Sequence, residues 1–233
     1  MNRTKIDYLD FSWNVTPGCT HGCLWCWARA ILKRQKHRCR KCYDFVPHLH
    51  PERLGEPAAR RKPAIIGVSF TGDLFDPAMS DPEPEFICQG PRDRRVFRAM
   101  EAAPWHTYVI LTKQPKQAVR RLLSWTERPQ ANWWLLTSVT NRADADKRIP
   151  EILKLKEYGW PVVGVSIEPL LGPVDISRWL LDWVIIGAQT GPGAVAPEAQ
   201  WVSEILRYCR WANIPVFVKD NVGWPDVIRE FPV

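Results

Sequence analysis

A chain of 233 residues that is 45% hydrophobic and 24% charged has the make-up of an ordinary folded protein, which excludes wholesale disorder. No apolar run approaches the roughly 18 residues of a membrane span. The N-terminal MNRTKIDYLDFSW lacks the apolar core of an export signal, so a cytoplasmic location is expected. The net charge of +7 suits an anionic partner such as nucleic acid, and an odd seven cysteines argue for metal binding or chemistry rather than disulfides.

The first expected element is a strand around Tyr8–Val15. Directly after it comes Gly18-Cys19-Thr20-His21-Gly22-Cys23-Leu24-Trp25-Cys26, three cysteines spaced C-x3-C-x2-C on a glycine-containing loop. Three thiolates so placed can hold three corners of a cubic iron–sulfur cluster, which ordinarily takes four cysteines. The missing fourth ligand would leave one iron open to a substrate. A zinc knuckle or three buried thiols would use the same spacing.

Residues 29 to 63 read as an insertion after that strand. Arg29, Lys33, Arg34, Lys36, Arg38, Arg40 and Lys41 crowd its first part, either as a patch for nucleic acid or as a solvated helix face. Cys39-Arg-Lys-Cys42 with histidines nearby fits a tetrahedral Zn2+ site, which would staple a segment short of core. The expected ligand set is Cys39, Cys42 and one or both of His37 and His48. Two ordinary thiols or a second iron–sulfur cluster are the alternatives. Cys88 and Cys209 stand apart and read as buried small hydrophobes.

From residue 64 onward the chain alternates. Ala64–Phe70, His106–Thr112, Trp133–Val139, Trp160–Ile167, Asp182–Ala188 and Ile214–Lys219 are apolar or β-branched runs, as strands buried on both faces require. Asp93–Ala102, Gln114–Ser124, Asp144–Tyr158 and Glu198–Ala212 have helical spacing, which implies βαβ units. The expected fold is therefore α/β, one domain over residues 1–233, with a parallel sheet curled into a partial or nearly closed barrel. In such folds the chemistry sits at the C-terminal strand ends.

The polar groups at those ends are Thr71-Gly72-Asp73, Lys113, Ser138 and Asn141, Ser166 and Glu168, Gln189, and finally Lys219 and Asp220. Asp73 reads as the partner of an ammonium or as a helix cap. The single polar residues read as ligand contacts or as turn and cap residues. Gly191-Pro192-Gly193 reads as a phosphate nest or a rigid turn.

The cysteine loop, with Trp25 just before its last cysteine, resembles the cluster loop of radical S-adenosylmethionine (SAM) enzymes. Further motifs extend the likeness over almost the whole chain, to a phage- and prophage-associated family of short radical SAM-like proteins of unassigned function. They are Trp13-Asn14, His50 to Leu54 (HPERL), Asp73 to Phe75, Leu111 to Lys113, Glu168 to Pro173 and Gly191 to Ala194. The resemblance implies a partial (β/α)6 barrel and a [4Fe-4S] cluster on Cys19, Cys23 and Cys26. It also implies SAM on the open iron, and an electron donor such as flavodoxin or ferredoxin. The product would be a 5′-deoxyadenosyl radical that takes hydrogen from a substrate.

By the same likeness Trp25 lies beside the cofactor, and Thr71, Gly72 and Asp73 meet the methionyl amino group. Ser138 and Asn141 fall near the ribose, Ser166 and Glu168 near the adenine, and Gln189 in the same pocket. His50, Lys113, Lys219 and Asp220 are left to face the substrate. Spore photoproduct lyase is a distant relative, which points to a nucleic-acid base. A small-molecule or protein substrate, and a non-catalytic zinc-stabilised nucleic-acid-binding module, are the competing functions. One departure stands out: members usually carry Gly-Gly-Glu-Ser where this chain has Gly187-Ala188-Gln189-Thr190. A carboxylate there becomes an amide, and only hydrogen bonding survives.

Overall fold

The apolar runs pair side by side in the order in which the chain delivers them. The computed structural model describes residues 1–80, 92–125 and 128–232. Its strands are β1 (Asn2–Arg3), β2 (Phe11–Trp13), β3 (Ile65–Val68), β4 (Thr107–Thr112), β5 (Trp133–Val139), β6 (Val163–Ile167), β7 (Val184–Ile186) and β8 (Val216–Val218). They form one sheet in the order β1 to β8, antiparallel between β1 and β2 and parallel everywhere else. The expected strands are all present, with most of their ends trimmed. β1 has no counterpart in the sequence reading, because two residues are too few to carry a period.

Each parallel strand adds at the same edge of the sheet, without the reversal that marks a doubly wound fold. Helices α4 (Arg92–Glu101), α5 (Pro115–Trp125), α6 (Arg142–Glu157) and α7 (Ala199–Trp211) make the crossovers that the helical spacing predicts. Among the described residues, no helix joins β6 to β7. The insertion carries three short helices, α1 (Trp27–Leu32), α2 (Arg40–Tyr43) and α3 (Glu56–Ala59). No helix is long and apolar enough to cross a membrane, among the described residues.

The two faces of the sheet are covered differently. On one, Ile66, Val68, Ile110 and Leu135 pack under Val96, Phe97, Ala118, Leu122 and Ile152 of α4, α5 and α6. The same layer continues as Val165, Ile167, Val184, Ile186, Val216 and Val218 under Ile149, Val202, Ile205 and Leu206. Buried Cys209 belongs to that layer, as expected for a small hydrophobe. Cys88 lies outside the described residues.

On the other face Val109, Leu136, Ile185 and Phe217 pack with Tyr8, Leu9 and Trp183 instead of with a helix. Tyr8 meets Trp183 and Phe217 edge-on, with ring centroids 5.7 and 5.6 Å apart. The Asp220 amide donates to Asp7 Oδ2 at 3.0 Å. Residues before β2 thus touch residues of and after β8 across this face. Beyond β8 the backbone pairing continues only as an antiparallel bridge from Phe217 to Arg229 and does not return to β1, so the sheet is not closed. The fold is a mixed α/β structure with a mostly parallel eight-stranded sheet.

Candidate functional site: a thiol-lined cavity at the strand ends

β2 and β3 leave the sheet together and set up the cysteine loop. Asn14 Oδ1 accepts from the Thr71 amide at 3.1 Å, and the Gly18 amide donates to Thr71 O at 3.1 Å. Gly18 and Gly72 then form a parallel bridge. A Cβ on Gly72 would lie 2.3 Å from Thr16 O and 2.6 Å from Gly18 O, so the two exits approach to a distance only glycine permits.

The loop is tied down at two further points. Buried Asp76 accepts from the Thr20 amide at 2.7 Å and the Thr20 hydroxyl at 2.8 Å. From α6, Arg148 reaches His21 Nε2 at 3.2 Å while holding Ser138 O and Asp144, each at 2.8 Å. The sequence marks Asp76 only as the end of the strand exit at residues 71–76 and gives no sign of Arg148. Their loop partners Thr20 and His21 lie 56 and 127 residues away, beyond any local signal.

The loop closes over a cavity of about 500 Å3 at the C-terminal ends of the parallel strands. Cys19, Cys23 and Cys26 are free thiols, partly buried, and all three line it with Trp25. The strand exits supply the rest: Thr71, Gly72 and Asp73 after β3, Lys113 after β4, Ser138 on β5, and Ser166 and Glu168 at β6. Gln189 follows β7, and Lys219 follows β8 and pairs with Glu168. Apolar walls come from Tyr8, Phe45 and Phe70, with Trp27 and Ile31 of α1 half-exposed at the lining.

Three expected residues, Asn141, Asp220 and His50, stand outside this cavity. Asn141 is exposed and caps α6, its Oδ1 accepting from the Asp144 amide at 3.0 Å. That is ordinary helix-end chemistry, and the Asn-x-x-Asp spacing could have signalled it. Asp220 is exposed and paired with Arg229 at 2.7 Å. Gly191-Pro192-Gly193 is an exposed turn in which Ala194 N donates to Gly191 O at 3.1 Å.

Burial dominates the electrostatics. It pushes the Cys19 thiol up to about 12, with the charge of Asp73 adding to the effect. Cys23 is also raised by burial, but the nearby Lys113 and Arg148 cations pull the other way. His21 is lowered by burial and then by Arg148, so its ring is held neutral. Asp73 is raised by burial against the pull of three donors: the Lys113 amide at 2.9 Å, the Thr112 hydroxyl at 2.8 Å and the Phe75 amide at 3.0 Å. Its carboxylate ties the β3 exit to the β4 exit rather than capping a helix.

Two hydroxyls on the wall do the opposite. Thr71 Oγ1 and Ser166 Oγ are buried and lack any hydrogen-bond partner within the protein. A buried, unsatisfied hydroxyl costs about 1–3 kcal/mol. Both residues line the cavity, although each oxygen is itself closed to solvent.

Behind the loop lies a second group. One ligand atom from each of Cys39, Cys42, His48 and His50 falls within 4.8 Å of all the others, so the group could bind a metal ion such as zinc. This corrects the expected set. His37 is exposed on the segment before α2 and takes no part, whereas His50, expected to face substrate, supplies the fourth atom. Among the basic residues of the insertion, Arg29 stacks on Phe45 at 4.4 Å and Arg40 pairs with Asp44 at 2.6 Å. All seven cations of the run are exposed.

A family model described as "Protein of unknown function (DUF5131)" matches residues 3–229. No curated protein and no solved structure matches the chain.

Proposed function

Since the chain belongs to the DUF5131 family, whose description carries no activity, we propose from the cavity and the motif likeness that it is a radical SAM enzyme acting on a nucleic-acid base. In this reading the sheet is a partial barrel with its working end at the cysteine loop. The observation that carries the reading is that three free thiols of one loop share a cavity with two unpartnered hydroxyls.

The donor set suits an open-site cluster. Three cysteines of one short loop line the cavity, and among the described residues no fourth cysteine does. When bound to Cys19, Cys23 and Cys26, a [4Fe-4S] cluster would supply the electron that breaks the sulfonium C–S bond of SAM, giving methionine and a 5′-deoxyadenosyl radical. The surrounding residues prepare the site for both. Lys113 and Arg148 favour the thiolate at Cys23 against its burial. Thr71 and Ser166 offer their free hydroxyls to the polar parts of the cosubstrate. The Glu168–Lys219 pair keeps an oriented carboxylate on the wall. Tyr8, Phe45 and Phe70 give the cavity apolar walls, which suits a reactive radical.

The substrate class follows from the rim. α1 carries Trp27 and Ile31 at the cavity and Arg29 beside them, and the exposed cations continue to Lys41. Aromatic and apolar groups next to a line of cations suit a nucleic acid with one base drawn in. Binding of duplex DNA is then expected to weaken steeply between low and moderate salt. Binding that is absent at low salt would contradict the nucleic-acid assignment and favour a small substrate. A purely nucleic-acid-binding module leaves the loop thiols and the free hydroxyls without a task.

The hydroxyls provide a discriminating test. Ser166→Ala removes an unsatisfied buried group from the empty protein, so its stability should rise by about 1 kcal/mol. SAM affinity should fall roughly 5- to 10-fold through the lost hydrogen bond. Calorimetric binding and thermal unfolding read the two effects separately. Unchanged affinity in this variant would remove Ser166 from the cosubstrate site.

A further inference from the structure

We propose that Cys39, Cys42, His48 and His50 hold one Zn2+ in a closed tetrahedral site, and that this ion braces the three-cysteine loop from behind. His48 Nε2 lies 3.1 Å from His50 Nε2, 3.4 Å from Cys39 Sγ and 3.6 Å from Cys42 Sγ. His50 Nε2 lies 3.3 Å from Cys42 Sγ. Zn–S bonds of about 2.3 Å and Zn–N bonds of about 2.0–2.1 Å, at tetrahedral angles, give N–N edges of about 3.3 Å and N–S edges of about 3.6 Å. The four side chains stand close to the corners of that tetrahedron.

The ring orientations add an independent reason. His48 Nδ1 faces Val46 O at 2.7 Å, and His50 Nδ1 faces the Glu52 carboxylate at 2.8 Å. Both partners only accept, so both Nδ1 atoms carry hydrogen and both Nε2 atoms of the neutral rings present lone pairs. The two lone pairs, 3.1 Å apart, and the two sulfurs within 3.3–3.6 Å of them converge on the space that one cation would fill. Carbonyl and carboxylate partners on the far ring nitrogen are also the ordinary outer shell of zinc-bound histidine. Two thiolates and two imidazoles fill four positions, so the site is structural rather than catalytic.

The backbone shows what the ion would hold. His48 N donates to Pro17 O at 3.2 Å and His50 N to Val15 O at 2.9 Å, so the histidine segment lies along the residues that lead into the loop. Gly18 is pressed against the same segment, since a Cβ there would sit 2.4 Å from Val46 O. Cys19, Cys26 and Cys39 all pack against the small cluster of Ala28, Leu32, Cys42 and Phe45. Fixing residues 39 to 50 with a metal therefore fixes the back wall of the loop that presents Cys19 and Cys26. This inference stands apart from the proposed reaction, because the ligands are not those of the cavity.

The test is zinc content and zinc K-edge X-ray absorption of the full chain, beside C39S/C42S and the loop variant C19S/C23S/C26S. About one zinc per chain, in a shell of two sulfurs and two nitrogens, is expected in the wild type and in the loop variant. C39S/C42S should lose it. Since that variant could fail to fold, the wild-type and loop-variant spectra decide the matter by themselves. No zinc in either, even after Zn2+ is supplied, would overturn the proposal. So would a three-sulfur shell that disappears with the loop cysteines. Failure of the radical reading would instead show as missing iron in the wild type, with the zinc result unaffected.

Discussion

Replacing Cys19, Cys23 or Cys26 by alanine, one at a time, is expected to abolish release of 5′-deoxyadenosine from SAM by the reduced protein. A cluster held by three protein ligands has none to spare, so each deletion removes a corner rather than weakening a contact. The expected loss is at least on the order of 10^3-fold, as for other residues that act only as a unit. Folding should be largely preserved, because all three thiols are only partly buried and none forms a disulfide. Zinc should remain at the second site. Retained release in any single variant would mean that this cysteine is not a ligand.

Asp73→Asn is expected to lower stability by about 2–4 kcal/mol, the second large effect. Asp73 is almost fully buried, and both its oxygens accept hydrogen bonds from residues of two strand exits. An amide keeps one acceptor and turns the other position into a donor. The Lys113 or the Phe75 amide is then left facing a donor in a buried place. Since Asp73 also adjoins Gly72, where β2 and β3 nearly touch, the cysteine loop should loosen with it. Urea unfolding would show a lower midpoint with an unchanged slope. An unchanged midpoint would show that the carboxylate is not the tie described above.

Much of the fold was legible because buried parallel strands announce themselves. Runs such as Trp133–Val139 are apolar at nearly every position, and the crossovers between them have clear helical spacing. The insertion hid its structure. α2 is four residues long, and the Cys39 side chain accepts from the Cys42 amide to cap it. Nothing so short carries a period.

The site was legible only in part, for a related reason. Strand order tells at which end of the sheet the cavity opens, but not which polar residue at that end turns inward. Ser138 faces the cavity while Asn141, three residues on, caps a helix. Asp220 is taken by Arg229, which folding brings back to it. The choice of His37 over His50 failed differently. His48 and His50 sit on extended chain beside Val15 and Pro17, where residues two apart share a face. The His-x-His spacing carried that signal.

The most direct measurement is the iron, sulfide and zinc content of anaerobically reconstituted protein, with the EPR spectrum of the dithionite-reduced sample before and after SAM is added. About four iron and four sulfide per chain are expected, with a reduced-cluster signal that changes when SAM binds. Protein that takes up zinc but no iron after reconstitution would contradict the radical SAM assignment.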